Sequence, residues 1–378
     1  MGAVPWPQMK SPRPSRWYGI AVAAVGVAVG LAIAGREEPR RAAEIADQRP
    51  EGTTPQGRGS RGARKAAAKD EAPRGGEEGR QAPRGPEGEI IVSAPWGSGP
   101  GEIGRTRPSE GAPEGPMSFA MDARGQIHVL DQVNSRIQIF EKGKEPRAVP
   151  LPSDTYQDIE IDSRGNTVVL DRLVTGTIAF IDDSGKISHS VPIVGPGVPE
   201  GGGVTALLAR EDGVWVEVEH TTSVRVADAS GAPDRERPIV QGRPSADGSA
   251  RLSASLAGPS GASVGVASVT GTADPVQASV AFPMPVVGLH ALESDQQGRV
   301  YLAANLLREG PAPAFDILEE REMVVVLSRA GLEIGRFDIA PPQGPEEQLR
   351  PIRVAADGSI YQLVCRERGA TVERFWYR

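Results

Sequence analysis

A short stretch of the chain concentrates side chains that could do chemistry. Residues 122–140 read DARGQIHVLDQVNSRIQIF and contain two aspartates, a histidine, an asparagine and two arginines. Carboxylates and an imidazole can serve as acid, base or metal ligand. The same residues could equally belong to a structural unit. The two interpretations differ because a catalytic site occurs once in a chain, whereas a structural unit recurs.

The turn that begins this stretch does recur. Asp122 and Gly125 belong to a DARG turn, and forty residues later DSRG places Asp162 and Gly165 in the same register. In such a turn the Asp side chain can cap the backbone, and Gly supplies the positive φ. Looser copies of the turn end at Gly213, Gly248, Gly298 and Gly358.

Each copy reads as four short strands. The second strand ends at Asp131 in the first copy and at Asp171 in the second, and we expect both of its faces to be buried. Six such units over 89–378, with no convincing helix, predict an all-β, six-bladed β-propeller with four-stranded antiparallel blades. The last unit lacks a fourth strand, so we expect residues 88–94 to complete it and close the ring. An open solenoid or a β-sandwich is the alternative.

The best-preserved unit is similar to a known repeat. Residues 115–144, GPMSFAMDARGQIHVLDQVNSRIQIFEKGK, resemble an NHL repeat in the Gly-Pro start, the D-x-x-G turn, the Asp strand end and an N-x-R-I-x-x-F segment that holds Asn134 and Arg136. The second unit has Thr175 where Asn is expected, and later units keep only turns and strands. The resemblance implies a propeller that serves as a binding platform, with the shared polar residues shaping turns and loops.

Some six-bladed relatives of that family are enzymes, so the resemblance also keeps a metal-dependent lactonase- or lyase-like hydrolase as an alternative. Its metal would sit in the central channel and need ligands from several blades at equal depth. Asp131, Asp171 and Glu219 occupy equivalent strand ends, but the next two equivalents are Ala and Val. His128 stands where other units have Val or Tyr and is expected to pack within its strand. We therefore predict a non-catalytic protein with turn-capping acids and no metal or cofactor.

Charge and cysteine content restrict the function classes further. Residues 1–88 carry 15 basic and 10 acidic side chains, a net of +5, whereas residues 89–378 carry 27 and 39, a net of −12. A globular part this acidic is a poor match for nucleic acid, whose phosphates require Lys and Arg. The single cysteine, Cys365, excludes an intrachain disulfide.

The N-terminal region predicts a membrane segment and a linker. After a basic tail at 1–16, residues 17–35 are uncharged and would form a helix about 28 Å long, close to the thickness of a bilayer core. We expect a signal anchor with the propeller periplasmic or extracellular. Secretion after cleavage near Ala34 is the alternative, because A-x-A ends there. Residues 36–88, rich in Pro, Gly, Arg and Glu, are expected to be a disordered tether.

The loops that do not repeat indicate where a partner would bind. In a propeller, the loop between the second and third strands opens on the same face as the inter-blade connection, and long loops on a rigid scaffold often bind ligands. In the fifth unit that loop is long, roughly 305–322, and the connections 96–116, 191–203 and 340–349 are rich in Pro and Gly. Tolerated insertion is the alternative to binding. We expect a protein, peptide or glycan partner, with contacts at Trp96, Arg105, Arg107, Leu306, Phe315 and Ile317.

Overall fold

The computed structural model describes residues 88–271, 274–312 and 315–377. These residues form six four-stranded antiparallel sheets, which confirm the predicted six-bladed β-propeller. The helical segments among them are two 3-10 turns, Gln132–Asn134 and Gly201–Gly203.

The expected tail (1–16), membrane segment (17–35) and all but the last residue of the linker (36–88) lie outside the described residues. Within the described part, no helix is long and apolar enough to cross a membrane.

In the first three blades the strands follow chain order across each sheet, so strands joined by a turn are hydrogen-bonded neighbours. Blade 1 contains β2 (Ser118–Met121), β3 (Ile127–Asp131), β4 (Arg136–Phe140) and β5 (Arg147–Pro150). Blade 2 contains β6 (Asp158–Ile161), β7 (Thr167–Asp171), β8 (Thr177–Ile181) and β9 (Ile187–Pro192). Blade 3 contains β10 (Val204–Arg210), β11 (Gly213–Val218), β12 (Thr222–Asp228) and β13 (Ile239–Gln241).

Blades 4 and 5 repeat this order, and blade 6 completes the ring. Blade 4 contains β14 (Arg243–Pro244), β15 (Ala250–Leu256), β16 (Gly261–Ser268) and β17 (Val276–Ala281). Blade 5 contains β18 (Val286–Ser294), β19 (Val300–Glu309), β20 (Ile317–Leu327) and β21 (Glu333–Ile339). Blade 6 contains β22 (Ile352–Val354), β23 (Ile360–Arg366), β24 (Gly369–Phe375) and, from the other end of the propeller, β1 (Glu89–Pro95).

The ring is closed by β1, as the unpaired strand predicts. It pairs antiparallel with β24, with Ala94 opposite Ala370 and Ser93 opposite Thr371. Pairing with β1 gives blade 6 its fourth strand, so each of the six described blades has four strands.

The recurrent D-x-x-G turns work as the sequence chemistry requires. Asp122 Oδ1 accepts hydrogen bonds from the backbone N–H groups of Arg124 (2.9 Å) and Gln126 (2.8 Å), and Gly125 has a φ of +78°. Asp162 and Asp295 accept the same pair of bonds in blades 2 and 5. The other marker glycines also have positive φ: Gly165, Gly213, Gly248, Gly298 and Gly358.

The second strands carry most of the core, with one exception. All residues of β3 and β11 are buried, as expected for sheets that pack against neighbours on both sides. In blade 4, however, β15 is largely exposed or half-buried, so the expectation of two buried faces is wrong there. Its sequence, ARLSASL, offers few large apolar side chains, and the inner strand β14 beside it has only two residues.

Candidate binding face and central channel

One arginine crosses the centre of the ring. Arg350 precedes β22 in blade 6, and its guanidinium lies 2.8 Å from Glu160 in blade 2 and 2.7 Å from Glu293 in blade 5. It also donates a hydrogen bond to the carbonyl oxygen of Leu207 in blade 3. Blade 3 stands opposite blade 6 in a six-membered ring, so contacts on these three blades place the Arg350 guanidinium on the ring axis.

Two further arginines extend this arrangement. Arg353 in β22 lies 2.9 Å from both Asp158 and Glu160. Arg243 in β14 lies 2.7 Å from Glu217 and 3.1 Å from Glu293. We call these residues the axial network: Asp158, Glu160, Glu217, Glu293, Arg243, Arg350 and Arg353.

In the axial network, the arginines lower the pKa values of Glu293 and Asp158. Burial alone would raise the pKa of Glu293, but Arg350 and Arg243 outweigh it and lower the pKa to about 2. The pKa of Asp158 is likewise lowered, because Arg353 and Arg350 outweigh the effect of complete burial. Removing one member of such a buried network leaves charge without compensation, which typically costs about 3–5 kcal/mol.

The chemistry of this channel does not fit a bound metal ion. The acidic side chains that converge there are already bonded to guanidinium groups, and an added cation would be repelled by those same arginines. Arg210 lies within electrostatic range of Glu293 and Glu160 and adds further positive charge near them. Among the described residues, no three His, Cys, Asp or Glu side chains are grouped so that they could hold a metal ion.

The polar residues of the 122–140 stretch organise a loop. Buried Asp131 accepts hydrogen bonds from Gly104 N (2.7 Å), Asn134 Nδ2 (2.9 Å) and Arg136 Nε (2.7 Å). Arg136 also donates to the carbonyl oxygens of Ser98 and Glu102. These bonds fasten the connection that follows β1 to blade 1, which leaves Asp131, Asn134 and Arg136 engaged with the chain itself.

The two other acids weighed as metal ligands differ from each other. Asp171 is buried and accepts hydrogen bonds from Thr155 Oγ1, Val174 N and Thr175 Oγ1, so it holds the loop after β7. Glu219 is exposed at the end of β11 with a φ of +51°.

The structure brings three of the predicted contact residues together where blade 6 meets blade 1. Trp96 Nε1 donates to the carbonyl oxygens of Arg366 (3.0 Å) and Glu367 (3.1 Å). The Arg105 guanidinium lies 4.8 Å from the centre of the Trp96 ring. Arg107 is paired with Glu346 at 2.7 Å. The half-buried Trp96 and these arginines form a polar, aromatic corner of the long-loop face.

The remaining predicted contacts lie on blade 5 and divide into core and surface. Leu306 is 0% exposed and packs in the core of β19, so its assignment as a partner contact is wrong. The predicted loop 305–322 is instead a long hairpin in which β19 runs to Glu309 and β20 starts at Ile317. Its tip carries Phe315 (57% exposed), Ile317 (63%) and the neighbouring Leu318 (61%).

Exposed apolar side chains are concentrated on the face where this hairpin ends. Of the twelve large exposed hydrophobic residues among the described part of the chain, eight lie in or beside second-to-third-strand loops or inter-blade connections. They are Leu173, Val174, Val194, Leu256, Val287, Phe315, Ile317 and Leu318. We call this set the apolar rim. Single exposed hydrophobics are ordinary, whereas contiguous apolar patches mark interaction surfaces, and within this set Phe315, Ile317 and Leu318 lie together at one hairpin tip.

Sequence reasoning missed a His–Glu pair within blade 5, in which the side chain of His290 is 34% exposed and that of Glu322 is 1% exposed. His290 Nδ1 lies 2.9 Å from Glu322 Oε2, and both residues line a small cavity with Gln362 and Cys365. Glu322 Oε1 and Gln362 Oε1 have no hydrogen-bond partner among the described residues. Burial raises the pKa of Cys365 to about 12, so its thiol stays protonated and is a poor nucleophile.

No protein-family model and no curated protein matches this chain. Solved structures similar to it are propellers of low sequence identity. They include a member of the DUF4221 family from Bacteroides vulgatus, with 12% identity, a TM-score of 0.46 and coverage of 77% of this chain and 98% of that one. A gluconolactonase from Xanthomonas campestris has 13% identity, a TM-score of 0.41 and coverage of 78% and 98%. A streptogramin B lyase has 10% identity, a TM-score of 0.38 and coverage of 71% and 95%.

Proposed function

We propose that the chain is a non-catalytic binding platform whose long-loop face takes a protein or peptide partner. The observation that carries the proposal is the apolar rim, because its members come from blades 2, 4 and 5 and from the connection between blades 2 and 3. A partner with apolar side chains would remove that surface from water, at about 25 cal/mol for each Å² of apolar area buried.

The face also offers polar contacts that would orient a partner. Trp96, Arg105 and Arg107 lie at the junction of blades 6 and 1, whereas the hairpin tip belongs to blade 5. Interfaces commonly combine an apolar centre with aromatic and arginine contacts. The combination of an apolar surface with aromatic and arginine contacts favours a protein or peptide over a glycan, because a glycan has few aliphatic groups to bury against apolar side chains.

The axial network supports a binding role over the alternative of a metal-dependent lactonase or lyase. A hydrolase of that kind needs free ligand oxygens and space for substrate on the ring axis. Here the axis is occupied by the Arg350 side chain and its carboxylate partners.

Attachment to a membrane through residues 17–35, with the propeller outside the cytoplasm, remains part of the proposal.

The test is a capture experiment with two matched variants. The chain with Phe315→Ser, Ile317→Ser and Leu318→Ser lacks the hairpin tip of the apolar rim. The control, Leu332→Ser with Val269→Ser, changes residues of similar exposure in the third-to-fourth-strand turns on the opposite face. We expect the tip variant to lose the proteins that the wild-type chain captures and the control to retain them.

Both variants should unfold at the wild-type denaturant concentration, because all five side chains are exposed. Equal capture by the tip variant and the wild-type chain would contradict the proposed face. Substitutions are preferable to deleting the hairpin, since a deletion that includes Leu306 would remove part of the core.

A further inference from the structure

The imidazole of His128 is buried without hydrogen bonds. The residue is 5% exposed within β3, and neither ring nitrogen has a hydrogen-bond partner among the described residues. The nearest acid, Asp122, places Oδ2 3.9 Å from His128 Nε2, too far for a direct bond. Burial lowers the pKa of His128 to about 4. The Asp122 carboxylate raises this pKa, but by less than burial lowers it. The ring is therefore neutral near pH 7, with one donor and one acceptor unused.

His128 forms part of the wall of a cavity between blades 1 and 2, on the face opposite the long loops. The cavity has a volume of about 370 Å³, which is at the lower end of the range for small-molecule sites. Ile137, Ile139, Val149 and Ile161 supply apolar wall, and four aspartates and two arginines also line the cavity. We call it the His128 cavity.

The repeats show what the same position holds elsewhere. In blade 5 the equivalent residue is Tyr301, whose hydroxyl donates a 2.9 Å hydrogen bond to Asp295 Oδ2. Asp295 is the turn-capping equivalent of Asp122. In blade 2 the equivalent is Val168, which is fully buried in the core. Blade 5 therefore fills this place with its own phenol group, whereas blade 1 has a shorter imidazole and an adjoining cavity.

We propose that the His128 cavity binds a small neutral ligand that has an apolar body and one hydroxyl group. An oxygen about 2.8 Å from each partner can bridge Asp122 Oδ2 and His128 Nε2, which are 3.9 Å apart. The hydroxyl would donate to the carboxylate, as Tyr301 does in blade 5, and accept from the imidazole. Asp122 Oδ2 also accepts a hydrogen bond from Arg124 Nε at 3.0 Å, and this arginine side chain, which lines the cavity, is largely exposed.

The direct test uses two probes that differ by a hydroxyl group, p-cresol and toluene. Ligand-observed NMR titrations of the full-length chain would give both affinities. We expect p-cresol to bind about tenfold more tightly than toluene, which corresponds to one net neutral hydrogen bond. Absence of p-cresol binding, or equal affinity for the two probes, would overturn the proposal.

Two variants taken from the other blades complete the test. His128→Tyr supplies the phenol found in blade 5, so it should abolish p-cresol binding and raise the melting temperature. His128→Val supplies the blade 2 side chain and keeps the cavity open, so toluene should still bind while the preference for p-cresol is lost. Wild-type p-cresol affinity in either variant would refute the assigned role of His128. This site is independent of the partner face, so either proposal can fail alone.

Discussion

Replacing Arg350 by Met would remove the guanidinium on the ring axis and keep a side chain of similar length. Glu293, Glu160 and Asp158 would each lose a charged partner, and the side chains of Glu293 and Asp158 are 9% and 0% exposed. Because such carboxylates cannot recover their hydration, we expect the free energy of unfolding to fall by about 3–5 kcal/mol at pH 7. Urea denaturation of variant and wild type measures this directly.

The control is Arg308→Met, which breaks the exposed pair with Glu319 at the surface of blade 5. Exposed ion pairs contribute about 0–1 kcal/mol, so this variant should stay within that range. A loss of unfolding free energy in Arg350→Met no larger than that in Arg308→Met would show that the axial network is not a buried, charge-compensated cluster.

The stability difference between wild type and Arg350→Met should also depend on pH. The folded-state pKa of Glu293 is lowered from 4.5 to about 2, so its contribution to stability is present above pH 4.5 and lost as pH falls towards 2. Without Arg350 the pKa of Glu293 is lowered by less. The stability difference between wild type and Arg350→Met should therefore narrow as pH falls from 5 to 3. A difference that stays constant over this interval would contradict the pairing.

Two further outcomes are expected. Asp131→Ala should lower the free energy of unfolding by about 3 kcal/mol, because Arg136 loses a buried partner. Limited proteolysis should then cut residues 97–104 faster than in wild type, because Gly104 also loses its hydrogen bond to Asp131. Unchanged cleavage would contradict the role of Asp131 in holding this connection. Burial alone would lower the pKa of His290, but Glu322 raises it above 6.5. The pair therefore stabilises the fold fully below pH 6.5, and this stabilisation is lost as pH rises through the folded-state pKa. Urea denaturation at increasing pH should show this loss in wild type and not in His290→Gln, and identical pH profiles would count against the pair.

The architecture could be predicted because its determinants are local. Asp122 and Gly125 specify a turn through one side-chain cap and one positive φ, and a repeat of that turn at Asp162 and Gly165 marks the blade period. The closing strand β1 was predictable for a different reason, since a terminal blade with only three strands requires a fourth. Each of these signals lies within a few residues or follows from counting strands.

The axial network could not be predicted, because its members are far apart in the sequence. Asp158, Glu293 and Arg350 meet only after ring closure sets the distance between blades. The buried position of Leu306 has a related cause: hairpin length cannot be read from a segment whose turn lacks the D-x-x-G pattern. The sequence predicted that His128 lies in a strand. It could not predict that the ring nitrogens lack hydrogen-bond partners, because this depends on which side chains of blade 2 lie near the ring.

Hydrogen–deuterium exchange of the full-length chain, alone and with its captured partner, would locate the surface that the partner covers. We expect slower exchange in residues 172–176, 193–198 and 310–318, which carry much of the apolar rim. Turns on the opposite face, such as 329–332, should exchange at the same rate in both samples. Protection confined to the opposite face, with no change at the long loops, would contradict the proposed platform.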